Sequence, residues 1–180
     1  MKICFVHEEY PEETNFGGIA TYQKIMAEYY ANHGDNVYVI TRGKNYKEYI
    51  ENRVHIIRVA ADNNNDSIIS VKNYRREVAK ILTKLQSKDM IDIIETPDWG
   101  ANTIYFEHYR KVPIIVRLHT PLKIWLNYNN NNFGKSKDII LKWEKTMLKK
   151  ADAITSCSEL LKKMVIKEYK INKEITTIPN

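Results

Sequence analysis

Two histidines, His7 and His119, each close an apolar run and give way at once to polar residues. The first run leads into His7, Glu8 and Glu9, and a second into Glu95, Thr96, Pro97, Asp98 and Trp99. A third ends on His119, Thr120 and Pro121, and a fourth on Ser156, Cys157 and Ser158. Imidazoles, carboxylates and hydroxyls are the groups that exchange protons and hold the oxygens of a polar substrate. Gly17 and Gly18 offer something different, because they precede a helical pattern. With no side chain in the way, a phosphate or a sugar can approach the backbone amides and the positive end of the helix dipole there. Taken singly, these residues also have plainer roles. His7 and His119 would cap strand ends through backbone hydrogen bonds, while Asp98 and Ser158 would cap helices.

Several chemistries lack their motifs. There is no G-x-x-x-x-G-K-[ST] phosphate loop, no G-x-S-x-G nucleophile elbow, no H-E-x-x-H zinc helix and no G-x-G-x-x-G dinucleotide fingerprint. No Asp-x-Asp pair offers to chelate a metal-bound diphosphate. His7, Glu8 and His119 are the best available metal ligands, and they make a poor set. The expectation is therefore no metal and no cofactor. Cys4 and Cys157 lie in or beside apolar runs without paired spacing, which predicts buried, reduced thiols with no functional role.

The polar groups become a site only if the chain folds so as to collect them. Short β-branched runs at 2–7, 36–41, 54–59, 91–95, 114–118, 153–156 and 175–178 alternate with amphipathic stretches. That alternation predicts βα units feeding a parallel sheet: a Rossmann-like three-layer α/β/α domain with a mostly parallel sheet of about seven strands. Helical stripes run through Tyr22, Met26, Tyr29 and His33, through Tyr74, Val78, Ile81, Leu82 and Leu85, and through Ile140, Trp143, Met147 and Leu148. All three are expected to face the core. Gly34 sits where a helix C-cap is wanted, and the asparagine-rich segments 63–65 and 127–132 are expected to be mobile loops. In such a sheet, ligands bind beyond the carboxyl ends of the strands, which is where every polar cluster falls.

A chain of 180 residues, 43% hydrophobic, suffices for a single domain over 1–180. No apolar run reaches the length of a spanning helix and the N-terminus does not read as a signal peptide, so a cytoplasmic location is expected. The net charge of +6 is concentrated in stretches 72–88, 135–150 and 162–173. These are solvated helix faces or sites of peripheral contact with an anionic membrane, a contact that salt must weaken in vesicle flotation. Nucleic acid is not an expected partner, since no recognition motif accompanies the charge.

Four segments resemble the N-terminal domain of the GT-B glycosyltransferases of family 4, also called group 1. They are Phe16-Gly17-Gly18-Ile19-Ala20-Thr21-Tyr22 after the opening strand; Ile93 to Ala101; Val112 to Thr120; and Glu144 to Ser158, with 175–180 as a last strand. The resemblance implies one half of a GT-B fold. In it, Gly17 and Gly18 approach the donor's phosphates or sugar, and His119 contacts the hydroxyls of the transferred sugar as the catalytic residue. Glu8, Tyr22, Asp98 and Trp99 are implied as the acceptor wall, with His7, Glu95, Thr96, Thr120, Ser156 and Ser158 along the same cleft edge.

For the whole enzyme the resemblance implies a retaining transfer from a nucleotide-sugar donor to a glycan, lipid-linked or small-molecule acceptor, with no metal and no protein nucleophile. Polysaccharide biosynthesis in a bacterium is the expected setting. The family's second Rossmann domain, which supplies most donor contacts, has no counterpart in this sequence, so the isolated domain is expected to be inactive. A GT-B sugar epimerase, or a non-catalytic module that binds glycan or membrane, remains the alternative. In an epimerase or an inverting enzyme, Glu8 or Glu95 would act as the base.

Overall fold

The computed structural model describes residues 1–14, 17–61, 67–129 and 133–179. The described residues form an eight-stranded sheet in the order β3-β4-β2-β1-β5-β6-β7-β8, with five α-helices. The strands are β1 Lys2–Val6, β2 Asn36–Gly43, β3 Lys47–Glu51, β4 Val54–Ala60, β5 Ile93–Pro97, β6 Ile114–Leu118, β7 Ala153–Ser156 and β8 Thr176–Thr177. The helices are α1 Gly18–Asn32, α2 Ile68–Ser87, α3 Leu122–Tyr128, α4 Lys137–Lys150 and α5 Glu159–Tyr169, with a short 3-10 turn at Trp99–Ala101. Every pairing is parallel except β3 with β4. No described helix is long and apolar enough to cross a membrane.

β1 has both faces covered, as an interior parallel strand must. Ile3 and Phe5 pack with Ala27 and Ala31 of α1, whereas Cys4 and Val6 point the other way, into the cluster that contains Val78 and Leu82 of α2. From β1 the chain builds outward to β2 and β4, then returns to lay β5 on the other side of β1. The order reverses between β1 and β5, the kind of switch point beyond whose carboxyl ends an open parallel sheet binds its ligands.

The structure departs from the sequence reading in four places. β3 makes eight strands rather than about seven. Its residues Lys47, Glu48, Tyr49, Ile50 and Glu51 lie at the sheet edge, where charge blocks further pairing and hides the strand from a search for apolar runs. It joins β4 through Asn52 and Arg53, both at positive φ (47° and 68°), the geometry of a tight hairpin turn. The buried stripe of α1 is Ala20, Gln23, Ala27 and Ala31, not the expected Tyr22, Met26, Tyr29 and His33. Alanines let this helix sit close to the sheet, and Tyr29 is left exposed.

The expected loop at 127–132 begins as the last turn of α3, and residues 130–132, like the 63–65 segment, lie outside the described residues. Cys157 is only partly buried, unlike Cys4. The other two apolar stripes fall largely on buried faces of α2 and α4, and Gly34 follows α1 at φ +93°.

Candidate functional site

The carboxyl ends of β1, β5, β6 and β7 meet at a cleft of about 460 Å³. β1 and the loop after it contribute His7, Glu8 and Glu9, and the start of α1 contributes Gly17, Gly18 and Ile19. The rest of the lining is Trp99, His119, Thr120, Trp125 and Cys157. Seven residues singled out in the sequence thus share one cavity: His7, Glu8, Gly17, Gly18, Trp99, His119 and Thr120. Glu9 and Cys157, in strand-end clusters the sequence marked, and Ile19, in the segment after Gly18, were not named as site residues, and Trp125 was missed. Glu9 and Ile19 simply neighbour named residues. Trp125 follows His119 by six positions on a helix the sequence did not mark, and Cys157 was set aside as a buried thiol.

His119 follows directly after β6 and rests against Tyr22 and, through it, Arg117. Its ring meets the edge of Tyr22 at 5.0 Å between centroids, and the Arg117 guanidinium lies 4.7 Å over the same tyrosine ring. Burial, with Arg117 and then His7 nearby, lowers the His119 pKa to about 4. The imidazole is therefore neutral near pH 7, with one nitrogen able to donate and the other to accept. Tyr22 faces inward as a support and donates its hydroxyl to Glu95 Oε1 at 3.1 Å. Burial raises the Glu95 pKa despite that hydrogen bond.

His7 is also buried, and burial lowers its pKa to about 4. The Glu9 amide donates to His7 Nδ1 at 3.2 Å, turning the chain sharply after β1. Arg58, wholly buried, then holds the loop from beneath. Its guanidinium donates to the carbonyls of Tyr10, Pro11 and Arg42 at 3.3, 3.0 and 3.2 Å. After Gly17, α1 starts with no side-chain cap.

The aromatic part of the cleft rests on buried ionisable groups. Asp98 is fully buried, and both of its carboxylate oxygens accept the His119 backbone N–H at 3.1 Å. It therefore fixes the backbone under His119 and does not line the cavity. Asp98 makes no side-chain cap of the 3-10 turn that follows it. Burial, followed by the proximity of Glu144, raises its pKa well above the usual carboxylate range.

Glu144, on α4, also has no exposed surface. Its carboxylate accepts the Gly100 N–H at 2.9 Å, the Leu122 N–H at 3.1 Å and the Tyr169 hydroxyl at 2.7 Å. On its other side, the Gly100 carbonyl accepts from Arg75 Nε at 2.8 Å. One peptide segment is thus gripped from α4 and α2 together. Since Trp99 adjoins Gly100 and Trp125 belongs to the helix that Leu122 opens, the grip sets both indoles, whose rings meet edge to face at 6.0 Å. Phe133 completes the cluster at 5.8 Å from Trp99.

Arg75 reaches forward as well, donating to Glu8 Oε1 at 2.8 Å, while Arg42 lies 3.5 Å from Glu8 Oε2. The remaining predicted residues do not line this cavity. The Thr96 hydroxyl donates to the Val6 carbonyl, Ser156 to the Ser158 carbonyl, and Ser158 caps α5 by accepting the Leu161 N–H. Among the described residues no group of three or more His, Cys, Asp or Glu is placed to hold a metal ion.

Residues 16–180 match the family model described as Glycosyltransferase Family 4. Among solved structures, the chain is similar to sucrose-phosphate synthase from Thermosynechococcus elongatus, with a TM-score of 0.77 and 14% identity over 98% of this chain and 47% of that one. A second structure of that synthase gives a TM-score of 0.64 at 14% identity, over 99% of this chain and 88% of that one. The catalytic domain of starch synthase IV from Arabidopsis thaliana, bound to ADP and acarbose, gives 0.60 at 13% identity over 99% of this chain and 51% of that one. At such identities the likeness establishes the fold, a Rossmann-like half of GT-B. The chain spans about half the length of that first sucrose-phosphate synthase chain and of the starch synthase IV catalytic domain. No curated protein matches it.

Proposed function

This chain belongs to glycosyltransferase family 4, and on that premise we propose that it is the acceptor-side half of a retaining transferase that moves a sugar from a nucleotide-diphosphate donor to a glycan or glycolipid acceptor. The observation that carries this reading is the meeting of Gly17, Gly18 and a neutral His119 in one cleft at the sheet's reversal point. The two glycines leave backbone open to the donor's phosphates or sugar beside the start of α1. His119 hydrogen-bonds the hydroxyls of the sugar in transit and holds it in near-attack geometry. Starch synthase IV, which shares the fold, holds a nucleotide diphosphate and a saccharide together. The nucleotide itself, and the positive charge that stabilises the leaving diphosphate, fall to a second domain. Two of the matched structures, each about twice as long as this chain, support that division.

Neither Glu8 nor Glu95 is well placed as the base of an inverting enzyme or an epimerase. Glu8 is engaged by Arg75 and Arg42, and Glu95 is tied to Tyr22 below the cleft. This speaks against those two residues as the base, and an inverted product anomer by NMR would overturn retention. The donor is found by screening the full-length protein against nucleotide sugars, with the isolated 180 residues as the inactive control. Turnover by those residues alone would refute the division of labour. In the full-length enzyme His119→Ala should lower turnover by about 100-fold, the usual loss when one positioned hydrogen-bonding group is removed, while nucleotide affinity changes little. Equal losses in both would contradict the role.

A further inference from the structure

Besides Gly17, Gly18, the two histidines, Ile19, Thr120 and Cys157, the cleft is lined by two indoles and two carboxylates, with Glu9 Oε2 lying 3.0 Å from where a Gly17 Cβ would be. Trp99 and Trp125 are half-buried, packing edge to face with each other and with Phe133 while still lining the cavity. Two rigid indoles in a cavity suit the C–H face of a sugar ring, which stacks on an aromatic surface without needing a charge. Their backbone is held by the buried Glu144–Gly100–Arg75 grip, so this part of the cleft is formed before any ligand arrives.

Glu8 and Glu9 supply the polar contacts. Arg75 and Arg42 fix the Glu8 carboxylate from behind and balance its charge, so this wall is not a trap for cations. Burial raises the Glu9 pKa. Carboxylate oxygens accept hydroxyl protons, and paired hydroxyls on a sugar ring are the natural donors.

What is missing is equally informative. No lysine or arginine lines the cleft among the described residues. The residues outside the description, 15–16, 62–66, 130–132 and 180, are asparagine, aspartate and phenylalanine and bring none either. A phosphate on the acceptor would find carboxylates and no cation in the lining, because the guanidiniums of Arg75 and Arg42 are engaged by Glu8 behind it, and a carboxylate and a phosphate brought together repel.

We infer that the acceptor presents an uncharged sugar ring to this wall, stacked on Trp99 and Trp125 with its hydroxyls donating to Glu8 and Glu9, and that sugar phosphates are excluded. The inference rests on the transferase reading of the cleft for the word acceptor, but the binding it describes does not require turnover. Saturation-transfer NMR on the 180-residue chain can test it, using a panel of methyl hexopyranosides and their 6-phosphates as probes. At least one neutral glycoside should bind saturably, with its 6-phosphate at least about tenfold weaker, a difference of about 1.4 kcal/mol. Trp99→Leu and Trp125→Leu should each weaken the neutral ligand by a similar factor, with Trp99→Phe recovering part of the loss.

Three results would overturn the inference: 6-phosphates bound as tightly as their parents, neutral binding indifferent to both indoles, or no glycoside bound. The comparison of neutral with phosphorylated ligands needs only the wild-type chain and survives poor folding of any variant. Failure of the transferase reading is seen elsewhere, as silence of the full-length protein toward nucleotide sugars while glycoside binding persists.

Discussion

Where α1 begins, little but backbone lines the cleft: Gly17 makes no side-chain cap and has the Glu9 carboxylate 3.0 Å from where its Cβ would be, and a Cβ added at Gly18 would meet nothing within 4 Å. At the 3-10 turn and the start of α3, backbone amides are met by buried charge instead, with Asp98 under His119 and Glu144 under Gly100 and Leu122. One region is left open for a ligand's oxygens, while the other spends its buried carboxylates on holding aromatic side chains still. Pre-organised groups matter most where geometry must be set before binding, and bare amides suffice where the ligand brings the charge.

The largest effect should come from Glu144→Ala, which strips partners from two buried amides and the Tyr169 hydroxyl. A loss of about 3–5 kcal/mol in urea unfolding is expected, the usual scale for breaking a buried ionic network; a loss under about 1 kcal/mol would mean that the grip is incidental.

Next comes pH. Burial pushes the Glu144 pKa up from 4.5 to about 7, so between these values the folded protein holds a proton that the unfolded chain has released. Its contribution to stability therefore falls as pH rises through that window. Glu144→Gln removes the dependence, and relative to wild type the variant should gain up to about 3 kcal/mol between pH 5 and 8. A flat difference would refute the assignment. His7 and His119 act in the opposite direction, since their lowered pKa values make stability fall as pH drops from 6.5 toward 4.

The loss of about 100-fold in turnover expected for His119→Ala is comparable in energy, about 2.7 kcal/mol, but appears in catalysis rather than folding. The smallest and cleanest comparison is one substitution made on both sides. Gly100→Ala forces a side chain onto φ +78° and puts its Cβ 3.0 Å from Arg75 Nη2, which should cost about 1–2 kcal/mol of stability. Gly18→Ala meets nothing and lies at the start of a helix, so stability should change by only a few tenths of a kcal/mol while donor affinity falls. Similar losses of stability at both glycines would erase the contrast between the two regions.

Strands β1, β2, β4, β6 and β7 were legible because buried parallel strands write themselves as unbroken β-branched runs. β3 was not, since an edge strand protects itself with the charges that disguise it. In the site, His7, Glu8, Gly17, Gly18, Trp99, His119 and Thr120 could be gathered from sequence, because each lies where a strand must end or a helix must begin. Asp98 and Tyr22 were found but assigned to the cavity, whereas Asp98 holds the backbone beneath it and Tyr22 supports His119 from inside. A carboxylate that binds a ligand and one that binds a backbone amide have the same letter.

The sequence by itself determined the alternation of strand and helix, and hence an α/β sheet with its polar groups at one edge, because hydrophobic period and turn residues act over a few neighbours. Only the tertiary structure decided that Glu144, Arg75 and Asp98 would be buried around Gly100 and His119. Those groups come from α4, α2 and the end of β5, and nothing local in any of the three records that the others will be there. Burying a charge is tolerable only when distant partners arrive together, so its purpose becomes visible only once the chain has closed around it.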